Sequence, residues 1–462
     1  MEFDAVILAR IKFAFTVAFH IIFPSFTIGL SAWITTLLGL WLLTGRERFR
    51  LLARFWTNIF AVSFAMGVVS GIVLSYQFGT NWSRYSEIVG NVVAPLIGYE
   101  VLTAFFLEAT FLGILLFGWN RAPPWLHFLA ALMVAFGTLL SAFWILSANS
   151  WMQYPTGFEM RDGVAVPTDW VAAVFNPTFP LRLAHMVTAA YLTTAFVVLA
   201  VGARYLLSGI HDGYGRTMVR MGLGLALVLA PLQLVIGDFH GLETAKYQPA
   251  KLAALEAHWD GDVPADLVLF ALPDEKAETN HYEIVIPQGL SLLIAHEFDG
   301  KVTGLKDFAP EDRPPVLIPF FGFRLMVGIG FWLIGMALFG AVLWWRGNLF
   351  KNRLYLTLAW FTWPLGFVAI LAGWFVTEVG RQPWVATGIL RTVDAVSPVP
   401  ASNVAISLAM FVLVYGVVFS AGIYYINRLI HRGPTPTATA PTDEGVPTRP
   451  ISVAEEAGRE AL

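Results

Sequence analysis

Apolar positions in this chain gather into runs too long and too uniform for one face of a soluble helix. Stretches near 20 residues pass almost without charge, and short clusters of charged and turn residues break them. Nine such runs predict nine membrane-spanning helices, at roughly 11–43, 55–76, 94–118, 125–148, 182–208, 217–238, 321–345, 354–379 and 403–429. The expected fold is all-α, a polytopic membrane helical bundle, because a backbone in lipid must satisfy its own hydrogen bonds. The first run reads as a retained span: Glu2 and Asp4 precede it and no small-residue cleavage site follows.

Lysine and arginine concentrate in alternate links. Arg46, Arg48, Arg50 and Arg54 follow the first run, Arg204, Arg216 and Arg220 lie between the fifth and sixth, and Arg346, Lys351 and Arg353 follow the seventh. Those links are expected in the cytoplasm, with the N-terminus outside and the C-terminus inside. The chain then divides into membrane helices one to six (1–238), an outer loop (239–320), helices seven to nine (321–432) and a disordered cytoplasmic tail (433–462). The outer loop mixes a helix-like stretch, KLAALEAHW from Lys251, with turn-rich sequence, and loops of that length are commonly functional. No internal repeat is visible, which weakens a transporter reading.

Composition narrows the chemistry. Hydrophobic residues make up 57% and charged residues 13% of the 462, which excludes a water-soluble globular enzyme. The net charge of -3, with no basic block, gives no footing to a nucleic-acid partner. Cysteine is absent, so thiolate zinc sites, iron–sulfur clusters, disulfides and thioether-attached haem are all excluded. Any metal falls to His, Met or carboxylate.

Polar groups within the spans are expensive and are functional candidates by default. They are His20, Glu100, Glu108, His185, Asp238, Arg324 and Glu378. Of the nine histidines, His211, His240, His258, His281, His296 and His431 are placed in loops or the tail, and His127 at the cytoplasmic start of span four. His20 and His185 remain deep enough to ligate haem; interhelical hydrogen bonding is the plainer alternative for each. His185 begins span five and Met326 span seven, both near the outer surface, and a His/Met pair is an axial set for low-spin haem. A methionine on an apolar helix is more often packing. Arg324, two residues before Met326, is placed to meet a haem propionate. Glu378 closes span eight, with Trp374 one turn before it and Arg381 three residues after, so an interfacial ion pair competes with ligation. Glu100 and Glu108 stand eight residues apart on span three, about 12 Å along a helix and about 80° around it, a spacing that suits a proton ladder.

These residues sit in stretches that resemble subunit I of the cytochrome bd quinol oxidase family over essentially the whole chain up to the tail. The stretches are ARIKFAFTVAFH ending at His20, FGTNWSRYS from Phe78, YEVLTAFFLEATF around Glu100 and Glu108, SANSWMQYPTG from Ser147 and LAHMVTAAY around His185. They continue through GDFHG from Gly237, KLAALEAHW, FRLMVGIGF from Phe323 and GWFVTEVGRQPW from Gly373. The resemblance implies that His185 and Met326 are axial ligands of a low-spin haem b. It implies that His20 ligates a high-spin haem, taken as the d-type, and Glu378 another, taken as a b-type; family members differ in which haem occupies which position. Lys251 and Glu256 match positions tied to quinol oxidation in the outer Q-loop, although on sequence alone they read as an exposed helix pair. Glu100 and Glu108 match acids associated with proton delivery, Trp374 and Arg381 the motif beside Glu378, and Arg324 a position near the low-spin haem.

The outer loop lacks the long insertion of some relatives, so the chain resembles the short-Q-loop branch. GDFHGLET and GILRTVDAVSPVP look more like the cyanide-insensitive members, some of which replace haem d by haem b. The implied cofactors are two haem b and one haem d, or haem b in its place. The implied partners are quinol, dioxygen, a membrane-embedded subunit II and a single-span small subunit, in a bacterial cell membrane. The implied activity is a quinol:oxygen oxidoreductase that oxidises quinol outside and reduces dioxygen with cytoplasmic protons, generating proton motive force without a separate pump. Two intramembrane histidines are too few for a haem–copper oxidase or a di-haem cytochrome b anchor. A proton-coupled transporter is the alternative from another class, and a haem-bearing redox sensor or electron carrier is a weaker one.

Overall fold

The computed structural model describes residues 4–119, 121–261 and 264–434. The tail expected from Gly433 lies, from residue 435 onward, outside the described residues. The elements are α1 (Ala5–Thr44), α2 (Glu47–Thr80), α3 (Ser83–Tyr99), a π-helical segment (Glu100–Phe105), α4 (Phe106–Phe117) and α5 (Pro124–Gln153). A β1–β2 hairpin (Phe158–Arg161, Val164–Pro167) and α6 (Trp170–Val174) lead to α7 (Phe179–Ser208), α8 (Asp212–Tyr247) and α9 (Pro249–Glu256). The hairpin β3–β4 (Leu267–Asp274, Thr279–Ile286), α10 (Gly289–Ala295), α11 (Leu317–Trp345), α12 (Arg353–Thr362), α13 (Leu365–Val379), the hairpin β5–β6 (Trp384–Ala386, Leu390–Arg391) and α14 (Ala401–Arg432) complete the chain.

Nine helices among the described residues are long and apolar enough to cross a membrane: α1, α2, α3 with α4, α5, α7, α8, α11, α12 with α13, and α14. They run past the apolar stretches that predict them, since helical hydrogen bonding continues where hydropathy stops. At its C-terminal end α8 passes the expected limit at 238 and continues to Tyr247. Local chemistry sets several ends. The Asp4 side chain accepts from the Val6 N–H at 2.9 Å to start α1, and Gly45, with φ 65°, closes it in the left-handed conformation glycine permits.

Helix α7 is the centre: 78% of its most apolar window is buried, against 17–33% for the other eight spans. One apolar core joins it to α1, α2, α4 and α5, and a second joins it to α8, α11 and α12. Small residues bring α7 and α8 backbone to backbone. A Cβ on Gly202 would meet the Gly215 carbonyl oxygen at 2.9 Å, and one on Gly222 the Ala195 carbonyl oxygen at 2.8 Å. The C-terminal ends of α5, α8 and α13 meet at one end of the bundle, where the Gln248 side chain donates to Gln153 at 2.8 Å and Gln153 to the Thr377 carbonyl at 3.4 Å. The long loop after α8 covers this end. The arginine-rich links occupy the opposite end, where Arg204 of α7 lies 3.3 Å from His431 of α14.

Candidate functional site: a polar-studded cavity under the long loop

A cavity of about 1740 Å³ opens between the two cores, and all twelve residues singled out above line it. A pocket for one small organic ligand spans about 300–1,000 Å³, so this space exceeds what one such ligand fills. Its wall is mostly aliphatic and aromatic, with the polar groups set singly into it.

His20 projects from α1 toward α2, where Gly71 leaves it room: a Cβ there would stand 3.1 Å from the ring. Its Nδ1 is 3.0 Å from the Ser70 hydroxyl, whose single proton goes to the carbonyl of Met66 at 2.9 Å or Gly67 at 3.0 Å. Ser70 therefore accepts from Nδ1–H, which leaves the Nε2 lone pair for a metal. His185, on α7, faces Gly237 of α8. Its Nε2 accepts from the Gln233 amide at 3.1 Å, and its Nδ1 is buried without a partner. Met326 of α11 packs its sulfur against Gly373 of α13, where a Cβ would come within 2.8 Å.

Glu378 ends α13 held on both oxygens, by the Arg381 guanidinium and by the Asn149 side-chain amide at 2.8 Å. Asn149 in turn accepts from Arg182 at 2.8 Å, one turn before His185. Arg182 and Arg381 are both buried, and Nε of each and Nη1 of Arg381 have no partner. Unmet buried donors cost about 1–3 kcal/mol apiece, so this cluster is built to receive anionic oxygens. Arg324 behaves differently from expectation. Its guanidinium is turned to the loop, bonding Glu256 at 2.6 Å and the carbonyls of Leu255 and Val268, so in this cluster, among the described residues, the unpaired guanidinium donors are those of Arg182 and Arg381.

Lys251 and Glu256 are not an exposed pair, as sequence alone reads them. Short helix α9 is buried between the loop and the bundle, with Lys251 5% and Glu256 4% exposed. The Lys251 Nζ donates to Gln248 at 2.8 Å and to Gln153. Burial, with Arg182 and Arg381 nearby, pulls Lys251 well below the usual lysine value. Burial pushes the Glu256 carboxyl up, against the opposing pull of Arg324. His240 also departs from its expected loop position: it lies within α8, lines the cavity and sets its ring 5.4 Å from that of His185.

On the far wall, Glu100 accepts from the Ser141 hydroxyl at 2.7 Å, while Glu108 is buried with Oε1 unpaired. Gly137 of α5 makes the space for it; a Cβ there would stand 2.6 Å from Glu108 Cγ. The π segment between the two acids adds one residue to a turn. Their angular separation falls from about 80° to about 20°, and both line the cavity. Trp374 lines it from α13, and Asp238 from α8.

Among the described residues no three His, Cys, Asp or Glu side chains converge as a metal cage. A macrocycle that brings its own four nitrogens needs one or two protein ligands, which His20, His185, Met326 and Glu378 offer singly around one apolar cavity. The residues therefore fit haem. Comparison with known proteins decides the family: the description "cytochrome bd terminal oxidase subunit I" matches residues 8–434. The chain belongs to the cytochrome bd terminal oxidase subunit I family. It is 36% identical to the cytochrome bd ubiquinol oxidase subunit 1 of Bacillus subtilis, over 92% of this chain and 94% of that protein. It is 34% identical to the cytochrome bd-II ubiquinol oxidase subunit 1 of Escherichia coli, over 94% and 97%. The bd oxidase structure from Geobacillus thermodenitrificans superposes with a TM-score of 0.86 at 33% identity, covering 93% of this chain and 99% of that one. Haem is thus the cofactor class of this bd oxidase family, and the chain is a multi-pass membrane protein.

Sequence reasoning passed over Arg182, Asn149, Gln153, Gln233 and Glu243. Asn149 and Gln153 lie inside the SANSWMQ stretch, which was a findable signal. Arg182 at the start of a span looks like an ordinary interfacial residue.

Proposed function

We propose that this chain is the haem-bearing subunit I of a quinol:oxygen oxidoreductase of the bacterial cell membrane, working with a membrane-embedded subunit II and a single-span small subunit. The observation that carries the reading is the convergence of His20, His185, Met326 and Glu378 on one cavity in a chain of this family. His185 and Met326 hold the low-spin haem b, His20 a high-spin haem taken as the d-type, and Glu378 the other, taken as a b-type. The cyanide-insensitive character of two stretches allows haem b in place of haem d. Haem bound there supplies the redox iron that passes electrons and binds dioxygen.

The protein's own groups do the rest. Lys251 and Glu256 bind quinol beneath the long loop, with Arg324 fixing Glu256. Trp374 and Arg381 shape the haem surroundings, and Arg381 with Asn149 fixes the Glu378 carboxylate. Glu108 and Glu100 carry protons toward the cavity, Ser141 holding Glu100 in place. The loop end faces outward and the arginine-rich end the cytoplasm. Protons consumed at the cavity then cross most of the membrane, and each charge moved through 100 mV stores about 2.3 kcal/mol without a separate pump. The transporter reading finds no support in the family. Quinol-driven oxygen uptake by the purified complex tests the proposal.

A further inference from the structure

Among the described residues three carboxylates are buried: Glu108, Glu243 and Glu256. Glu108 lies on α4, and Glu256 is tied to Arg324. Glu243, in the last turns of α8, is 8% exposed, and neither of its oxygens has a hydrogen-bond partner. A carboxylate so placed bears the desolvation cost of both oxygens, which a fold sustains when the group has a proton to receive. Its neighbours are basic. Arg182 of α7, whose Nε is itself unpaired, and Lys251 of α9 both act on it electrostatically. Gln248 alone separates α8 from α9, so Glu243 and Lys251 share one end of the bundle, behind the cavity-lining His240 and Thr244.

We propose that Glu243 receives the protons that leave quinol at Lys251. The proposal rests on the quinol oxidase reading above. Oxidation of one quinol breaks two O–H bonds; two electrons leave for dioxygen, the oxidant of the overall reaction, and two protons remain to be removed in turn. Each passes from the hydroxyl to the Lys251 amine and from the resulting ammonium to a Glu243 oxygen. Glu243 then releases it to water at the loop end before taking the next. An ammonium left at Lys251 would face Arg182 and Arg381, whereas its existing hydrogen-bond partners, Gln153 and Gln248, cannot take a proton. Glu256 is held by Arg324 and Glu378 by Arg381 and Asn149, so Glu243 is the buried acid at this end free to accept.

The experiment compares two electron donors on the intact complex: a soluble quinol, which must shed protons, and tetramethyl-p-phenylenediamine, which gives electrons and sheds none. In E243Q, kcat for quinol-driven oxygen uptake is expected to fall at least about tenfold with KM within twofold. The phenylenediamine rate and the reduced-minus-oxidised spectrum should stay at wild-type values. E243D, which keeps the carboxylate, should give an intermediate quinol rate. Wild-type quinol turnover in E243Q overturns the proposal, and so does an equal loss with both donors, which marks a structural role. If E243Q assembles without haem, E243D decides: a loss confined to the quinol rate supports the proposal, and an equal loss with both donors overturns it. A wild-type complex that oxidises the phenylenediamine but no quinol instead overturns the functional reading beneath it.

Discussion

Glu100 and Glu108 line one cavity with different partners, and on the proposed proton path that difference separates their parts. Glu100 is anchored by Ser141, whereas Glu108 presents an unpaired buried oxygen against the glycine gap at Gly137. Glu108→Gln keeps the shape and removes the titratable carboxyl. Oxidase turnover is expected to fall by about 100-fold, the scale of a lost proton-transfer group, with the haem spectrum unchanged. Normal turnover in stopped oxygen-electrode assays would remove Glu108 from the path. Residues of this kind are legible in sequence because an acid, a histidine or an arginine inside an apolar run stands out. Arg182, Glu243 and His240 do not stand out, because they sit where the apolar run has begun late or ended early, and tertiary packing buries them. GDFHGLET is polar enough to end a hydropathy window at residue 238, yet its helix continues for nine residues under the cover of the loop.

Among elements, the π segment Glu100–Phe105 has the clearest consequence. The sequence gives the eight-residue spacing but not the extra residue in the turn, since no side-chain pattern marks it. Inserting one alanine after the exposed Leu102 returns Glu100 and Glu108 to about 80° apart, while deleting Leu102 relaxes the segment to α-helix and leaves the two within about 20°. Turnover is expected to survive the deletion and fall with the insertion, measured as quinol-driven oxygen uptake; equal loss in both would show that the alignment of the acids is irrelevant. The nine spans were readable from hydropathy alone, because the bilayer fixes their length. The loop hairpins were not, since β3–β4 carries a broken apolar pattern and two register shifts.

For the whole molecule, two cores share α7 and the cavity opens between them at the loop end, which makes sidedness the property that turns chemistry into a membrane potential. The cysteine-free sequence offers a clean test. A single cysteine at the exposed hairpin residue Lys276 should react with a membrane-impermeant maleimide in intact cells, and one at the exposed Arg216 should react only after lysis. The reverse pattern would invert the proposed orientation. The central claim, that His20, His185, Met326 and Glu378 hold haem in a quinol oxidase, is tested most directly by the reduced-minus-oxidised visible spectrum of the purified complex, with extracted haem identified by chromatography. The account predicts a d-type band beside twice as much b-type haem, or b-type haem alone if the cyanide-insensitive character extends to the cofactors. A colourless complex, with no extractable haem, would contradict it.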